Sequence, residues 1–472
     1  MSIKLYPHQE KQINKLRQSM KRHKRVLMQS PTGSGKSVMA ASMIASARQK
    51  GSKSLFVVPR RELLRQMKDT FNNFDIPYSH VAPGYSFNPE ADTHIASLMS
   101  LKSKLSYLKP NVVFVDETHF GAATLDRVVD YYTKQGCWIV GLSATPVKLS
   151  GQGLDCWYDD MVQGESLRWL IDNKWLSDYR AFAPSHVDLS GVKTVAGDYA
   201  KGQLSELMEQ DRVLVGNAVK HYKEHASGKL NVTYCVSVKH SEIVAEEFRN
   251  QGVPAMSISG KTPDDERRRI IRAFANREIE VLTNCDLLTF GFDLASNAGV
   301  DDVTVECMSD LRPTKSLALQ CQKWGRVLRR KDYPALIFDH ANNFQTHGMA
   351  CENRQWTLES KETGKRSDEK NIAVRECPKC FRCHKPAPVC PGCNYIYPVE
   401  ERKIKEVEGD LKEIKAIERK KKKAARAKKV ERNRNLPPEA KKKARNAMKR
   451  NLLAQGRPMG QVFAILKSEG LS

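Results

Sequence analysis

At 472 residues the chain is too long for one hydrophobic core, and at about 150 residues per domain it reads as roughly three units. No apolar run approaches the ~18 residues of a bilayer span and MSIKLYPHQE lacks an apolar secretion core, so a membrane protein is set aside and a cytoplasmic chain expected. The formal net charge is +24, and residues 401–472 hold 23 Lys and Arg against 9 Asp and Glu, so +14 of that surplus sits at one end. Such a segment binds polyanions through counterion release, which makes nucleic acid the first partner to expect; a solubilising tail is the competing reading.

Along the first 150 residues, short apolar runs alternate with helix-like stretches: VLMQ at 26–29, SLFVV at 54–58, THIAS at 93–97, NVVFV at 111–115 and CWIVGL at 137–142. Buried parallel strands read this way, and ligands bind where such strands end. Within 151–180, GESLRWLIDNKWLSDY predicts a helix and turn rather than a flexible linker. A second set follows, with VTYCVS at 232–237, AMSIS at 255–259, IEVLTN at 279–284, DVTVEC at 302–307 and ALIFD at 335–339. Two α/β domains in tandem are the economical fold. After Phe344 the composition turns polar, and 357–376 reads as a linker. Glu401 to about Asn435 predicts a charged helix stopped by Pro437 and Pro438, and EAKKKARNAMKRNLLAQ and MGQVFAILKSEG predict two more. The expected partition is 1–160, 161–350, a linker 351–376, a cysteine-rich module 377–398 and a basic helical tail 399–472.

SPTGSGKS at 30–37 follows VLMQ and precedes the helix-forming VMAASMIASARQK. A Gly-rich turn there exposes backbone N–H groups, and Lys36 and Ser37 at a helix start suit phosphate oxygens and Mg²⁺. Ser30 stands where the phosphate-loop pattern has its first glycine. Asp116 and Glu117 follow NVVFV, so both carboxylates fall at the carboxyl end of a strand. One suits Mg²⁺ and the other a water, the two roles that phosphoryl transfer to water needs. In QKWGRVLRR, Arg326 and Arg329 stand one helical turn apart, as charge-stabilising fingers do.

SPTGSGKS, DETH at 116–119, SATP at 143–146 and Q-x-x-G-R-x-x-R at 322–329, in that order, resemble the nucleic-acid helicases of superfamily 2. LYPHQ at 5–9, VVPRRELLRQ at 57–66, SLMSL at 97–101 and VLTNCDLLTFGFD at 281–293 resemble further motifs of that family, and the resemblance spans residues 5 to about 340. It implies two tandem RecA-like parallel-sheet domains with ATP between them. Gln9 then reads adenine, and Thr32, Gly33, Ser34 and Gly35 wrap phosphates beside Lys36. Ser37 and Asp116 hold Mg²⁺ and Glu117 activates water. His119, Ser143, Ala144 and Thr145 couple hydrolysis to nucleic acid, Gln322, Arg326 and Arg329 reach across from the second domain, and Gly291 and Asp293 touch the nucleotide near its sugar. LRPTKSLALQCQKWGRVLRR with TFGFD is most similar to RadD-type and phage branch-migration helicases and to restriction-enzyme motor subunits, which implies DNA as partner, with replication or repair proteins as possible associates.

Seven of the twelve cysteines are scattered and five crowd into 377–393, a pattern of metal binding rather than disulfides. Two CPxC knuckles, Cys377/Cys380 and Cys390/Cys393, suit a closed, structural tetrahedral Zn²⁺ site. Cys383 and His384 are further candidates, and a frame using Cys380 with Cys383 is the alternative. Lys420 to Lys423 and Lys441 to Lys443 fall on predicted helices with few aromatics, which suits grip on a phosphate backbone without base stacking. The leading expectation is an ATP-dependent DNA helicase or branch-migrating translocase. An RNA helicase, a restriction motor subunit and a non-hydrolysing clamp are the alternatives.

Overall fold

The computed structural model describes residues 4–59, 62–120, 123–148, 152–183, 187–195, 197–288, 294–300, 303–359, 374–398, 427–428, 430–433, 435–455 and 457–471. Two compact units are present, 1–397 and 398–472.

The first unit opens with α1 (Pro7–Met20), β1 (Arg25–Gln29), α2 (Lys36–Arg48), β2 (Ser54–Val58), α3 (Glu62–Asn73), β3 (Ser79–Val81) and β4 (Thr93–Ser97). It continues with α4 (Leu98–Leu101), β5 (Val112–Val115), α5 (Ala123–Lys134), β6 (Trp138–Ser143) and β7 (Asp160–Gln163). The seven strands form one parallel sheet in the order β3-β4-β2-β5-β6-β1-β7. Apolar clusters cover both faces, one built on Ile13, Met39, Ile44 and Phe71, the other on Leu125, Val129, Tyr132 and Tyr158. That two-sided cover is why β2 and β5 are buried at every position.

A connection through α6 (Leu167–Asp172), capped by Ser166, leads into β8 (Tyr179–Phe182). Next come β9 (Thr194–Val195), β10 (Asp198–Tyr199), α7 (Lys201–Gln210), α8 (Arg212–His225), β11 (Asn231–Tyr234), α9 (Val238–Asn250), β12 (Ala255–Ile258), α10 (Asp264–Ala275) and β13 (Val281–Asn284). Then follow α11 (Leu294–Ala298), β14 (Cys307–Asp310), α12 (Leu317–Val327), β15 (Ala335–Asp339) and α13 (Asn343–His347). The second parallel sheet runs β12-β13-β11-β14-β15-β8. The expected pair of RecA-like domains is therefore present.

One strand is displaced from its expected position. DVTVEC at 302–307 reads as a strand, but the ladder holds Cys307–Asp310. Val303 and Val305 are buried as an approach to the sheet, and pairing begins where Glu306 and Cys307 donate N–H to Leu230 O at 2.9 and 3.1 Å. Polar Ser309 and Asp310 tolerate burial because partners satisfy them, which an apolar pattern cannot reveal.

A small module closes this unit, with β16 (Arg375–Glu376) antiparallel to β17 (Cys383–His384). It extends the second sheet past its edge: Phe182 of β8 bridges Arg382, and Ala183 N–H donates to Phe381 O at 3.1 Å. The second unit holds α14 (Pro438–Ala454) and α15 (Met459–Ser468), closed over Leu452, Val462, Leu466 and Leu471. Of the helix expected over Glu401–Asn435, residues 427–428 and 430–433 are helical; Lys420 to Lys423 lie outside the described residues. No helix of the described residues is long and apolar enough to cross a membrane.

Candidate active site

The loop after β1 turns sharply because Gly33 and Gly35 both adopt φ +86°, the left-handed region glycine enters without strain. Gly35 is the N-cap of α2, so Lys36 and Ser37 open the helix and its free N–H groups face the loop. A Cβ on Gly35 would overlap Gln9 Nε2, and that side chain donates to Ser34 O at 3.0 Å. Gln9 is itself fixed by Tyr6 N–H, which donates to its Oε1 at 3.0 Å. Ser30, in place of the usual glycine, braces the loop: its Oγ donates to Ser34 Oγ at 2.7 Å, and its N–H to Ser143 O at 3.0 Å. Lys36 Nζ curls back to Ser30 O and Pro31 O at 3.2 and 3.4 Å.

Asp116 and Glu117 end β5 and are both buried. Burial and the adjacent Glu117 carboxylate push Asp116 up to about 7, against the pull of Lys36. Two carboxylates buried side by side want a cation. Glu117 sits at φ +43°, a strained conformation for a non-glycine residue that costs on the order of 1–3 kcal/mol and is tolerated where a side chain must be aimed. Its Oε2 lies 3.3 Å from His119 Nδ1.

His119 is fully buried, and that burial lowers its pKa, so it is neutral. Ser143 Oγ donates to Thr145 O at 2.7 Å and accepts from Thr145 N–H at 3.1 Å. With its proton so committed, Ser143 receives one from His119 Nδ1 at 3.1 Å, which fixes the Nδ1–H tautomer. Ala144 O accepts from Gln29 Nε2 at 2.9 Å, so the SAT turn is tied to the strand that carries the phosphate loop. His119 Nε2, Thr145 Oγ1 and Thr32 Oγ1 are buried without a hydrogen-bond partner among the described residues.

The second sheet supplies the opposite wall through α12. Gln322 Nε2 donates to Glu117 Oε2 at 3.1 Å, joining the two halves directly. Gly325 faces Thr32 so closely that a Cβ there would overlap the threonine side chain. Arg326 is buried on the same helix. Arg329 departs from expectation: α12 ends at Val327, so this arginine follows the helix in a bend instead of standing one helical turn on. Burial raises the Tyr234 phenol at the end of β11, and the positive charges of Arg326 and Arg329 pull it part of the way back. Gly291 and Asp293 lie outside the described residues.

Several residues near the cleft escape a motif reading. Lys323 is wholly buried, its Nζ 2.8 and 2.7 Å from the two Asp310 oxygens and 3.2 Å from Arg312 O, and Asn343 and Gln320 also donate to Asp310. Its partners lie on β14 and α13, so this network pins α12 to its sheet. Trp175 packs tilted against Tyr6 with ring centroids 4.2 Å apart, placing the connection beside Gln9. Tyr158 OH is 2.7 Å from Thr118 Oγ1 within DETH. The only sequence signal for these was three tryptophans between 157 and 175.

In the small module, the Sγ atoms of Cys377, Cys380, Cys390 and Cys393 lie within 4.8 Å of one another, with Cys377···Cys393 at 3.5 Å and Cys380···Cys390 at 3.7 Å. Four thiolates about 2.3 Å from one Zn²⁺ stand about 3.8 Å apart, so the donor set fits. The alternative frame is not used: Cys383 is buried in the second-sheet core and His384 is engaged with Lys385 O and Tyr397 OH.

Comparison with known proteins agrees with this geometry. A family model described as "Type III restriction enzyme, res subunit" matches residues 2–148, and one described as "Helicase conserved C-terminal domain" matches 213–331. A 51.5 kDa protein of a Lactococcus phage is 32% identical over 381 residues, covering 80% of this chain and 79% of its own. The putative ATP-dependent helicase IRC3 of Saccharomyces cerevisiae is 29% identical over 338 residues, covering 67% of this chain but only 48% of its own length. Among solved structures, a fragment of a putative HsdR subunit of a type I restriction enzyme from Vibrio vulnificus shares the fold with a TM-score of 0.56 at 19% identity, over 72% of this chain and 66% of its own. With the phosphate loop, DETH, SAT and Q-x-x-G-R-x-x-R gathered around one cleft, the chain belongs to superfamily 2 of the helicases, ATPases that act on nucleic acid.

Proposed function

We propose that the chain is a DNA translocase that hydrolyses ATP between its two sheets to unwind or branch-migrate DNA, in replication, recombination or repair. The observation that carries this reading is the Gln322–Glu117 hydrogen bond, because it makes one site of residues from both domains. A ligand held between them biases the interface towards closure, and its conversion lets them part.

In this reading the N–H groups of the 32–37 loop and Lys36 hold the β and γ phosphates, Ser37 and Asp116 hold Mg²⁺, and Gln9 fixes the base. Mg²⁺-ATP supplies the activated phosphoryl group. Glu117, aimed by Gln322 and His119, accepts the proton of the attacking water, and Arg326 and Arg329 offset charge on the outer phosphate. His119, Ser143, Ala144 and Thr145 relay the state of the site towards bound nucleic acid; Gly291 and Asp293 complete the contact near the sugar. One Zn²⁺ bound by Cys377, Cys380, Cys390 and Cys393 is structural.

DNA is favoured over RNA by the restriction-type first domain, and the basic second unit suits the phosphate backbone of either. On α14, Lys442, Lys443, Arg445 and Arg450 are exposed, a basic surface suited to a phosphate backbone. ATPase rates with single-stranded, duplex, forked and four-way DNA and with RNA test the proposal, with Lys36→Ala as control. Strongest stimulation by branched DNA is expected. Stimulation by RNA alone makes it an RNA helicase, and translocation without strand separation a restriction-type motor. Hydrolysis indifferent to every nucleic acid overturns the motor reading and leaves a clamp.

A further inference from the structure

After α13 the chain does not leave the second sheet for good. Residues 348–359 cross back to the first, where Leu154 and Asp155 N–H both donate to Leu358 O, at 2.8 and 3.1 Å, and the Leu358 side chain packs on the first-sheet core. That landing point adjoins the DETH loop: Tyr158 N–H donates to Leu154 O at 3.1 Å, and Tyr158 OH meets Thr118 at 2.7 Å. The crossing segment is thus anchored behind one half of the nucleotide cleft.

Its other end is anchored behind the second half. Tyr179 OH of β8 donates to Cys351 Sγ at 3.2 Å and accepts from Cys351 N–H at 3.3 Å. Arg354 stiffens the middle, donating to His347 O at 2.9 Å, Met349 O at 3.1 Å, Ala350 O at 3.2 Å and Glu352 O at 3.4 Å. The same guanidinium lies 5.8 Å from the ring centroid of Trp324, buried on α12 between Gln322 and Arg326. A small cavity of about 60 Å³ lies between the segment and the phosphate loop, lined by Thr32, Trp324, Gly325, Glu352, Arg354 and Trp356 among others.

We propose that Arg354 and Leu358 are positioning residues: they hold 348–358 as a strap that ties the rear of the DETH loop to the rear of α12 and limits how far the sheets part between nucleotide cycles. The connection through 164–178 is the first tether across the cleft, and the strap is a second, independent one. Two short tethers raise the effective concentration of each half-site for the other. A chain held near closure binds nucleotide with less loss to an incompetent open population.

The inference rests on the cleft being the nucleotide site, and its test separates the two. Leu358→Asp removes the apolar part of the anchor on the first sheet and Leu358→Ala weakens it, whereas Arg354→Ala frees the middle and Arg354→Lys restores part of it, since an ammonium lacks the planar fork. Steady-state ATPase is measured alongside the distance between dyes on non-natural residues at exposed positions Asp130 and Glu246. The expected result is an ATP KM raised about three- to tenfold with kcat nearly unchanged, in line with a smaller competent fraction. Without nucleotide the distance distribution broadens, and a saturating non-hydrolysable ATP analogue narrows it again. An unchanged KM and distance in folded Leu358→Ala and Arg354→Ala chains overturns the strap, as does a fall in melting temperature with no change in KM. If the unsubstituted chain hydrolyses no ATP, the functional reading fails, and the distances alone still decide the strap.

Discussion

Gln322 and Glu117 are separated by 205 residues, yet the amide of one donates to the carboxylate of the other at 3.1 Å. Glu117 is thereby aimed from the second domain as well as by its own strained backbone. Glu117→Gln should lower kcat roughly 10²- to 10⁴-fold while leaving ATP affinity close to normal, the range for losing a positioned base. Gln322→Ala should cost about ten- to a hundredfold in kcat through misaiming alone. Single-turnover hydrolysis with equilibrium ATP binding checks both; loss of binding in either variant would contradict the assignment.

Gly325 is where the halves come closest, and Thr32 fills the space a side chain would need. Gly325→Ala should keep the fold of each domain but prop the cleft open, abolishing most hydrolysis. Thr32→Gly in the same chain should restore part of it. Melting curves and ATPase rates for the single and double variants measure this.

Three second-domain histidines are neutral: burial holds His240 at about 4 and His340 at about 3, and the half-buried His347 is held at about 4. Their unfolded values lie near 6.5, so between roughly pH 6.5 and 4 the unfolded chain binds protons the folded chain refuses. Asp339 and Asp116, each pushed up to about 7 by burial and a neighbouring carboxylate, oppose them by holding a proton when folded. For these five groups the net uptake is about one proton, so stability falls with acidity by up to about 1.4 kcal/mol per pH unit in that window. Denaturant melts from pH 7 to pH 4.5 should show the fall, and His347→Gln should flatten it.

The cysteine module covers the edge of the second sheet, since Ala183 N–H and Phe182 pair with 381–382. The chain should bind one Zn²⁺. Cys390→Ser or strong chelation should release it and expose β8, an unpaired edge that invites aggregation. A stability loss of about 2 kcal/mol corresponds to a melting shift of about 4–8 °C. Metal analysis, melting and light scattering decide the matter.

Neutralising the exposed Lys442, Lys443, Arg445 and Arg450 to Gln should weaken nucleic-acid binding while preserving kcat at saturating DNA. If each meets a phosphate, the slope of log affinity against log salt should fall by about 3–4. An unchanged slope would show that this face of α14 is only solvated.

Legibility followed the locality of each constraint. The phosphate loop could be read in sequence because its turn and the helix start are made by adjacent residues of 30–37, and β2 and β4 because two-sided burial demands uninterrupted apolar runs. Lys323, Trp175, Tyr158 and Arg354 could not, since their roles exist only once distant elements meet. The shift of β14 to Cys307–Asp310 has the same origin: Asp310 lies in a strand because Lys323, thirteen residues on, is buried against it. Short β7 and β8 were missed because edge strands need less apolar surface. The CPxC pairs were readable because zinc spacing is local, whereas the use of Cys383 as a core residue depended on the second sheet beneath it.

The connection between the halves begins at β7 and ends at β8, and both are edge strands whose backbones run parallel to a neighbour: Val26–Gln29 against Asp160–Gln163, and Ala335–Phe338 against Tyr179–Phe182. Tension along residues 164–178 therefore pulls each strand lengthwise through its sheet. In that direction the N–H···O rungs strain together and must fail together, unlike a strand peeled away one rung at a time. The join between the halves is consequently strongest along its own length.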